Sequence, residues 1–332
     1  MSLLNMLVAI GLSSNLAHAG PVIRSQFPTQ PDGAGDAPVF NQNFPDPSII
    51  QTQDGTWYGF ATSGNGKQIQ VAQGGTLYQQ WGLLDVDALP QPGAWTTGDN
   101  TWAPDVHQMD DGTYVMYYSG EVAQNRAHHC IGTAVSYTPY GPYVAADEPF
   151  ACDLSIGGAI DPSGFQDADG TRYVLYKIDG NSVGHGGSCG NTIAPIAPTP
   201  IMLQQVAADG VTKIGDPYPI LDRTDEDGPL VEAPSMLLTD TGLYILFFSS
   251  GCYLESTYNV NYATSTSVFG PFQRAPHPMI RTGEYTLQAP GGATAVNVGD
   301  QVGIAFHANC PDGRCMYTTP TILQGREVRV EM

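Results

Sequence analysis

The chain has 332 residues, of which 32 are acidic and 12 basic, for a formal net charge of −20. A surface of that sign repels nucleic acid and anionic membranes, which excludes polyanionic partners and leaves neutral or cationic ones. Length alone does not decide between one large all-β domain and two average domains.

From the N-terminus, an apolar run from Leu3 to Leu12 is followed by small residues ending Ala17-His18-Ala19. The run is too short to span a bilayer as a helix, and the pattern reads as a secretory signal over residues 1–19, with the mature chain starting near Gly20 and bound for the extracellular space. Residues 20–42, rich in Pro, Gln, Asp and Gly, read as an N-terminal arm, either extended or supplying a closing strand.

Beyond the arm one phrase recurs five times: DPSIIQTQDGTWYGF from Asp46, APDVHQMDDGTYVMY from Ala103, DPSGFQDADGTRYVLY from Asp161, APSMLLTDTGLYILFF from Ala233 and APGGATAVNVGDQVGIAF from Ala289. In the first four, the proline (Pro47, Pro104, Pro162, Pro234) stands eight residues before a turn glycine (Gly55, Gly112, Gly170, Gly242), and the fifth copy, Pro290 to Gly299, has one residue more. Each turn is followed by an aromatic and β-branched run, the signature of a β-hairpin. A second phrase, AVSYTPYGPY (Ala134 to Tyr143) and ATSTSVFGPF (Ala263 to Phe272), marks the outer part of the unit. Copies start roughly 55 to 70 residues apart, as four-stranded propeller blades with long loops would. The reading is an all-β, five-bladed β-propeller, a single domain over residues 43–332. The stretch 184–200, rich in Gly and then Pro, reads as one long inter-strand excursion.

Six cysteines form an even set that, in an exported chain, is expected to be oxidised. Spacing pairs Cys310 with Cys315; Cys130, Cys152, Cys189 and Cys252 leave three pairings open, and no Cys/His spacing supports a zinc site.

In a propeller the first strands of all blades run the same way along the axis, so their starting residues meet at one mouth of the channel. Asp46 and Asp161 stand immediately before a repeat proline and Glu232 one residue earlier in its own copy, so three carboxyl groups are expected to converge. The proline is expected to hold the preceding residue extended. Convergent carboxylates repel, so at least one retains its proton, which lets an acid and a base coexist. Asp54, Asp105, Asp111 and Asp169 read as turn or surface acids, and Asp225-Glu226-Asp227 as a solvated loop.

The stretches FPDPSII (44–50), WAPDV (102–106), IDPSGFQDADGTRYVLY (160–176) and LVEAPSM (230–236) together resemble glycoside hydrolase family 43, over roughly residues 43–330. The resemblance implies a five-bladed propeller with inverting chemistry, in which Asp46 is the general base, Asp161 tunes and holds the proton donor, and Glu232 is the general acid. It further implies that Trp102 lines the sugar pocket, that Arg326 is the late arginine contacting the sugar, and that His307 helps bind a structural calcium or other cation on the axis, with no cofactor needed for the chemistry. Where many members carry Pro-Gly-His, this chain has Pro290-Gly291-Gly292.

The expected function is a secreted, monomeric, exo-acting α-L-arabinofuranosidase on plant cell-wall arabinoxylan or arabinan, with β-xylosidase activity in the same pocket. Alternatives are a β-xylosidase or xylobiohydrolase, an endo-arabinanase and, from another class, a silent propeller lectin binding sugars through Trp57, Trp102 and tyrosines.

Overall fold

The computed structural model describes residues 37–332, which contain twenty-one strands and no α-helix. The expected signal segment and most of the arm lie outside the described residues. Blade I is β1 (Ser48–Gln51), β2 (Trp57–Ala61), β3 (Gln70–Gly74) and β4 (Gly82–Leu83); blade II is β5 (Trp102–Gln108), β6 (Tyr114–Glu121), β7 (His129–Ser136) and β8 (Val144–Ala145). Blade III is β9 (Ala159–Gln166), β10 (Arg172–Ile178), β11 (Ile201–Val206) and β12 (Lys213–Leu221). Blade IV is β13 (Val231–Leu238), β14 (Tyr244–Ser250), β15 (Asn259–Ser265) and β16 (Gln273–Arg274), with β17 (Ile280–Arg281) also on β15. Blade V is β18 (Gly291–Val298), β19 (Gln301–Cys310), β20 (Gly313–Gln324) and β21 (Glu327–Val330).

The four principal strands of every sheet follow one another in sequence order as an antiparallel meander, with β17 alone returning to β15 outside that order. The inner strands β1, β5, β9, β13 and β18 touch in a closed ring, β1 meeting β18, which makes this a five-bladed β-propeller. Apolar side chains fill the wedges between blades. Phe60, Val71 and Leu89 of blade I meet Val106, Met116 and Tyr118 of blade II, and Phe165, Leu175 and Leu203 of blade III meet Met236, Leu246 and Phe248 of blade IV. Strand alternation thus sends one face of each blade into one wedge and the other face into the next.

The circle closes without a mixed sheet. Residues 38–44 run beside β20: Phe40 N–H donates to the Met316 carbonyl at 3.3 Å, Met316 N–H returns the bond at 3.1 Å, and Phe44 N–H donates to the Arg314 carbonyl at 2.7 Å. Cys310–Cys315 is joined as spacing indicated, and the open pairings resolve as Cys130–Cys152 and Cys189–Cys252.

The fifth repeat is read differently by the structure than by the sequence. Ile160 faces Lys177 in blade III, Trp102 faces Ser119 in blade II, and Glu232 faces Ser249 in blade IV; in blade V it is Gly291 that faces His307. The residue equivalent to Asp46, Ala103, Asp161 and Ala233 is therefore Gly292, not Ala289. The cause is the hairpin turn, which is two residues long in blade V (Val298 pairs with Gln301) and five in blade III (Gln166 pairs with Arg172).

Candidate active site

These five entry residues are not extended, and for the four that precede proline this is contrary to the local rule. Asp46, Ala103, Asp161, Ala233 and Gly292 all have positive φ, at 54°, 41°, 56°, 50° and 59°. A left-handed non-glycine residue costs on the order of 1–3 kcal/mol and persists only where its surroundings enforce it. Here the enforcement is visible, because each entry N–H is captured by a side chain one blade back. Ala103 N–H donates to Thr62 Oγ1 (2.9 Å), Asp161 N–H to Ser119 Oγ (3.0 Å), Gly292 N–H to Ser249 Oγ (2.9 Å) and Asp46 N–H to His307 Nδ1 (3.0 Å), which closes the ring.

Thr62, just past the end of β2, and Ser119, Ser249 and His307 within their second strands occupy the same place, facing the residue before the entry. In blade III that place is Lys177, which has no acceptor to offer. Asp161 takes over the duty, its Oδ2 accepting the Ala233 N–H at 2.9 Å. Lys177, fully buried, instead donates to Glu232 Oε2 and pairs with Asp179 Oδ1, both at 3.0 Å. One substitution in the ring thus binds Asp161 and Glu232 into a single charged cluster.

The three acids have unlike surroundings. Burial would raise the Asp46 pKa, but the Arg314 guanidinium (Nη1 to Oδ1, 3.1 Å) and the Thr62 hydroxyl (to Oδ2, 2.6 Å) outweigh it and hold the group below the usual aspartate range. Asp161 is pushed well above that range by burial and then by the charge of Glu232, with Lys177 offsetting part. Glu232 accepts from Lys177 on one oxygen and from the Tyr258 hydroxyl on the other, at 2.8 Å. Tyr258 is raised well above its normal value by burial and next by Glu232, so its hydroxyl keeps its proton to donate. Its ring fits only because Gly291 is bare: a Cβ there would stand 1.9 Å from Tyr258 Cε1.

Asp46, Asp161 and the backbones of Ala103, Ala233 and Gly292 line a narrow axial cavity of about 30 Å³, large enough for a water. Glu232 lies next to it, one residue before Ala233. Trp102 stands at the level of Glu232, half-buried, with its ring stacked on His129 at 3.5 Å between centroids.

Other expected residues fall elsewhere. Arg326 is not brought to this mouth; it sits in the outer turn between β20 and β21, donating to Thr264 Oγ1 at 3.0 Å. The arginine that reaches Asp46 is Arg314, in the hairpin closed by Cys310–Cys315 and stacked over Tyr253 at 5.1 Å. Asp105 is no surface acid but buried on the axis, and Asp227 is buried too, held by Arg274 at 2.9 Å. Asp54, Asp111 and Asp169 do sit exposed in turns, capping the N–H groups of Thr56, Thr113 and Thr171.

His307 does not suit a directly coordinated cation. Burial lowers its pKa to about 3, so the ring is neutral, and Nδ1 accepts the Asp46 N–H; the hydrogen is then on Nε2, which is buried without a protein partner. A protonated ring nitrogen donates and cannot ligate. Among the described residues no group of three or more His, Cys, Asp or Glu could hold a metal ion.

Lys177, Tyr258 and Arg314 were missed by sequence reasoning. Lys177 was legible, since it stands seven residues after the turn Gly170, as Thr62, Ser119 and Ser249 do after theirs.

Residues 36–330 match Glycosyl hydrolases family 43. Over 209 residues, 62% of the chain, the sequence is 30% identical to a probable arabinan endo-1,5-alpha-L-arabinosidase C of Aspergillus flavus. Over 276 residues, 73% of the chain, it is 27% identical to the extracellular endo-alpha-(1->5)-L-arabinanase 2 of Bacillus subtilis. The matches span 58% and 53% of those relatives' own lengths. A crystal structure of a thermostable family-43 glycoside hydrolase superposes with a TM-score of 0.75 at 23% identity, covering 87% of this chain and 93% of that one.

Proposed function

The chain belongs to glycosyl hydrolases family 43, and on that premise we propose that it is an inverting glycosidase in which Asp46 is the general base, Glu232 the general acid and Asp161 the residue that tunes and holds the donor. The observation that carries this reading is the unlike treatment of three acids around one axis. Asp46 is kept ionised beside a water-sized cavity, where a carboxylate can take a proton from an attacking water. Burial and the charge of Glu232 raise Asp161, so the cluster of Asp161, Glu232 and Lys177 holds a proton. That proton passes from Glu232 to the leaving glycosidic oxygen as the bond to the anomeric carbon breaks. Tyr258 and Lys177 then donate to the carboxylate left behind.

The substrate is an arabinose- or xylose-containing plant polysaccharide, and our preferred specificity is exo-acting α-L-arabinofuranosidase, with β-xylosidase activity in the same pocket. The excursion 179–200 supports a closed end: Cys189 is tied to Cys252, and Asn191 donates to the carbonyls of Ala197 and Pro229. An endo-arabinanase is the second reading, favoured by the activity for which the two relatives above are named. Three disulfides support export to an oxidising compartment.

Product analysis on linear arabinan separates the readings, free arabinose alone indicating exo action and a ladder of oligosaccharides endo action. Proton NMR of the first-formed anomer tests inversion. Weak turnover, equal in the wild-type chain and in Asp46→Ala or Glu232→Ala, would remove the proposal and favour a sugar-binding propeller.

A further inference from the structure

The axial channel has a second mouth. Five residues along each inner strand from its entry position, Gln51, Gln108, Gln166, Leu238 and Asn297 stand around the far end of the hub, so four of the five blades place a side-chain amide there. Behind them lies a cavity of about 330 Å³, near the lower end of the roughly 300–1,000 Å³ of small-molecule sites.

A polar pair that the hydrolytic cluster does not use, buried Asp105 with partly exposed His107, faces this cavity. Asp105 Oδ2 lies 2.6 Å from His107 Nε2 and also accepts the Gly164 N–H at 2.7 Å, while Oδ1 accepts the Ser48 hydroxyl at 2.8 Å. With Asp105 accepting, Nε2 is the donor, and in the neutral ring the lone pair is on Nδ1. Gly164 makes the seat for this imidazole, since a Cβ there would come within 2.5 Å of His107 Cδ2. The ring is one-third exposed and lines the cavity.

We propose that this opposite mouth is a second, non-catalytic binding pocket for a neutral polyhydroxylated ligand, a mono- or disaccharide. Amides offer donors and acceptors together, as hydroxyl-rich ligands require, and His107 adds an oriented acceptor. Asp105 already has three donors and calls for no cation, and no lysine or arginine lines the cavity to receive an anion. Gln51 is spent on the Gly55 carbonyl, which leaves Gln108, Gln166 and Asn297 as the amides to bind.

The test is titration of ¹⁵N-histidine-labelled full chain with xylobiose and with arabinobiose, in the Glu232→Gln background so that neither is consumed. The His107 ring signal, assigned by its loss in His107→Gln, is expected to shift saturably with at least one of the two. Gln166→Leu, an exposed position that folding tolerates, is expected to weaken that response at least tenfold, while kcat/KM for a nitrophenyl arabinofuranoside in the otherwise wild-type chain stays within twofold. A His107 signal unmoved up to the solubility limit of both disaccharides, or a shift unaffected by Gln166→Leu, overturns the proposal whatever becomes of the carboxylate mouth.

Discussion

Replacing Arg314 by methionine isolates what holds the proposed base ready. Arg314 Nη1 stands 3.1 Å from Asp46 Oδ1, with the two side chains 23% and 21% exposed. At that separation and an effective dielectric near 20, unit charges attract by roughly 5 kcal/mol. Partial hydration reduces the net worth toward the roughly 1.5–3 kcal/mol of a charged hydrogen bond. At 1.36 kcal/mol per pH unit this is about one to two pH units. The sign follows from the competing causes: burial raises the Asp46 pKa and Arg314 lowers it, so without Arg314 the carboxylate binds its proton at higher pH. The acidic limb of kcat/KM, read with a nitrophenyl arabinofuranoside whose leaving group needs no proton, is therefore expected to move up by about one to two pH units. The stability contribution of Asp46, present above its unfolded pKa and lost as pH falls through the folded one, shrinks in the same variant. Arg326→Met is the control and should leave the limb in place, since that residue bonds Thr264 in an outer turn. An unmoved limb in Arg314→Met, or equal shifts in both variants, refutes the reasoning.

Tyr258→Phe keeps the ring and removes one donor from Glu232, so turnover of an unactivated disaccharide should fall roughly 10- to 100-fold while a nitrophenyl substrate loses much less; equal losses on both would reduce Tyr258 to packing. Gly291→Ala drives a Cβ into the Tyr258 ring, and should lower activity and destabilise the fold by on the order of 1–3 kcal/mol, as core overpacking does, measurable by chemical denaturation. Removing Cys189–Cys252 by paired serines releases a loop with a sequence separation of 63 residues, with an expected cost of about 4 kcal/mol from chain entropy; a denaturation midpoint unchanged from wild type would contradict this.

The repeat made the propeller legible because each blade must turn at a glycine and re-enter the hub at a fixed distance. The same counting put Asp46, Asp161 and Glu232 near one mouth. It failed in blade V, where a shorter hairpin moved the entry position from Ala289 to Gly292, and counting along a chain cannot see a turn that tightens. Asp105 was misjudged because WAPDV looks like any turn, whereas its carboxyl in fact latches two neighbouring blades through Ser48 and Gly164. Arg326 and Arg314 both follow aromatic or β-branched stretches near the C-terminus, and only the pairing of β19 with β20 tells the hub arginine from the rim one. The left-handed entry residues contradict the local rule for proline, because a hydrogen bond from the preceding blade overrides a preference that residues i and i+1 would settle alone.

Asp46 belongs to the first blade made during synthesis, yet its countercharge and the acceptor for its N–H, Arg314 and His307, arrive with the last. A ribosome-bound or C-terminally clipped chain thus carries the proposed general base without Arg314 and His307 beside it. Closing the circle, where Phe40 and Phe44 pair with Met316 and Arg314, is therefore also the step that brings Asp46 its countercharge.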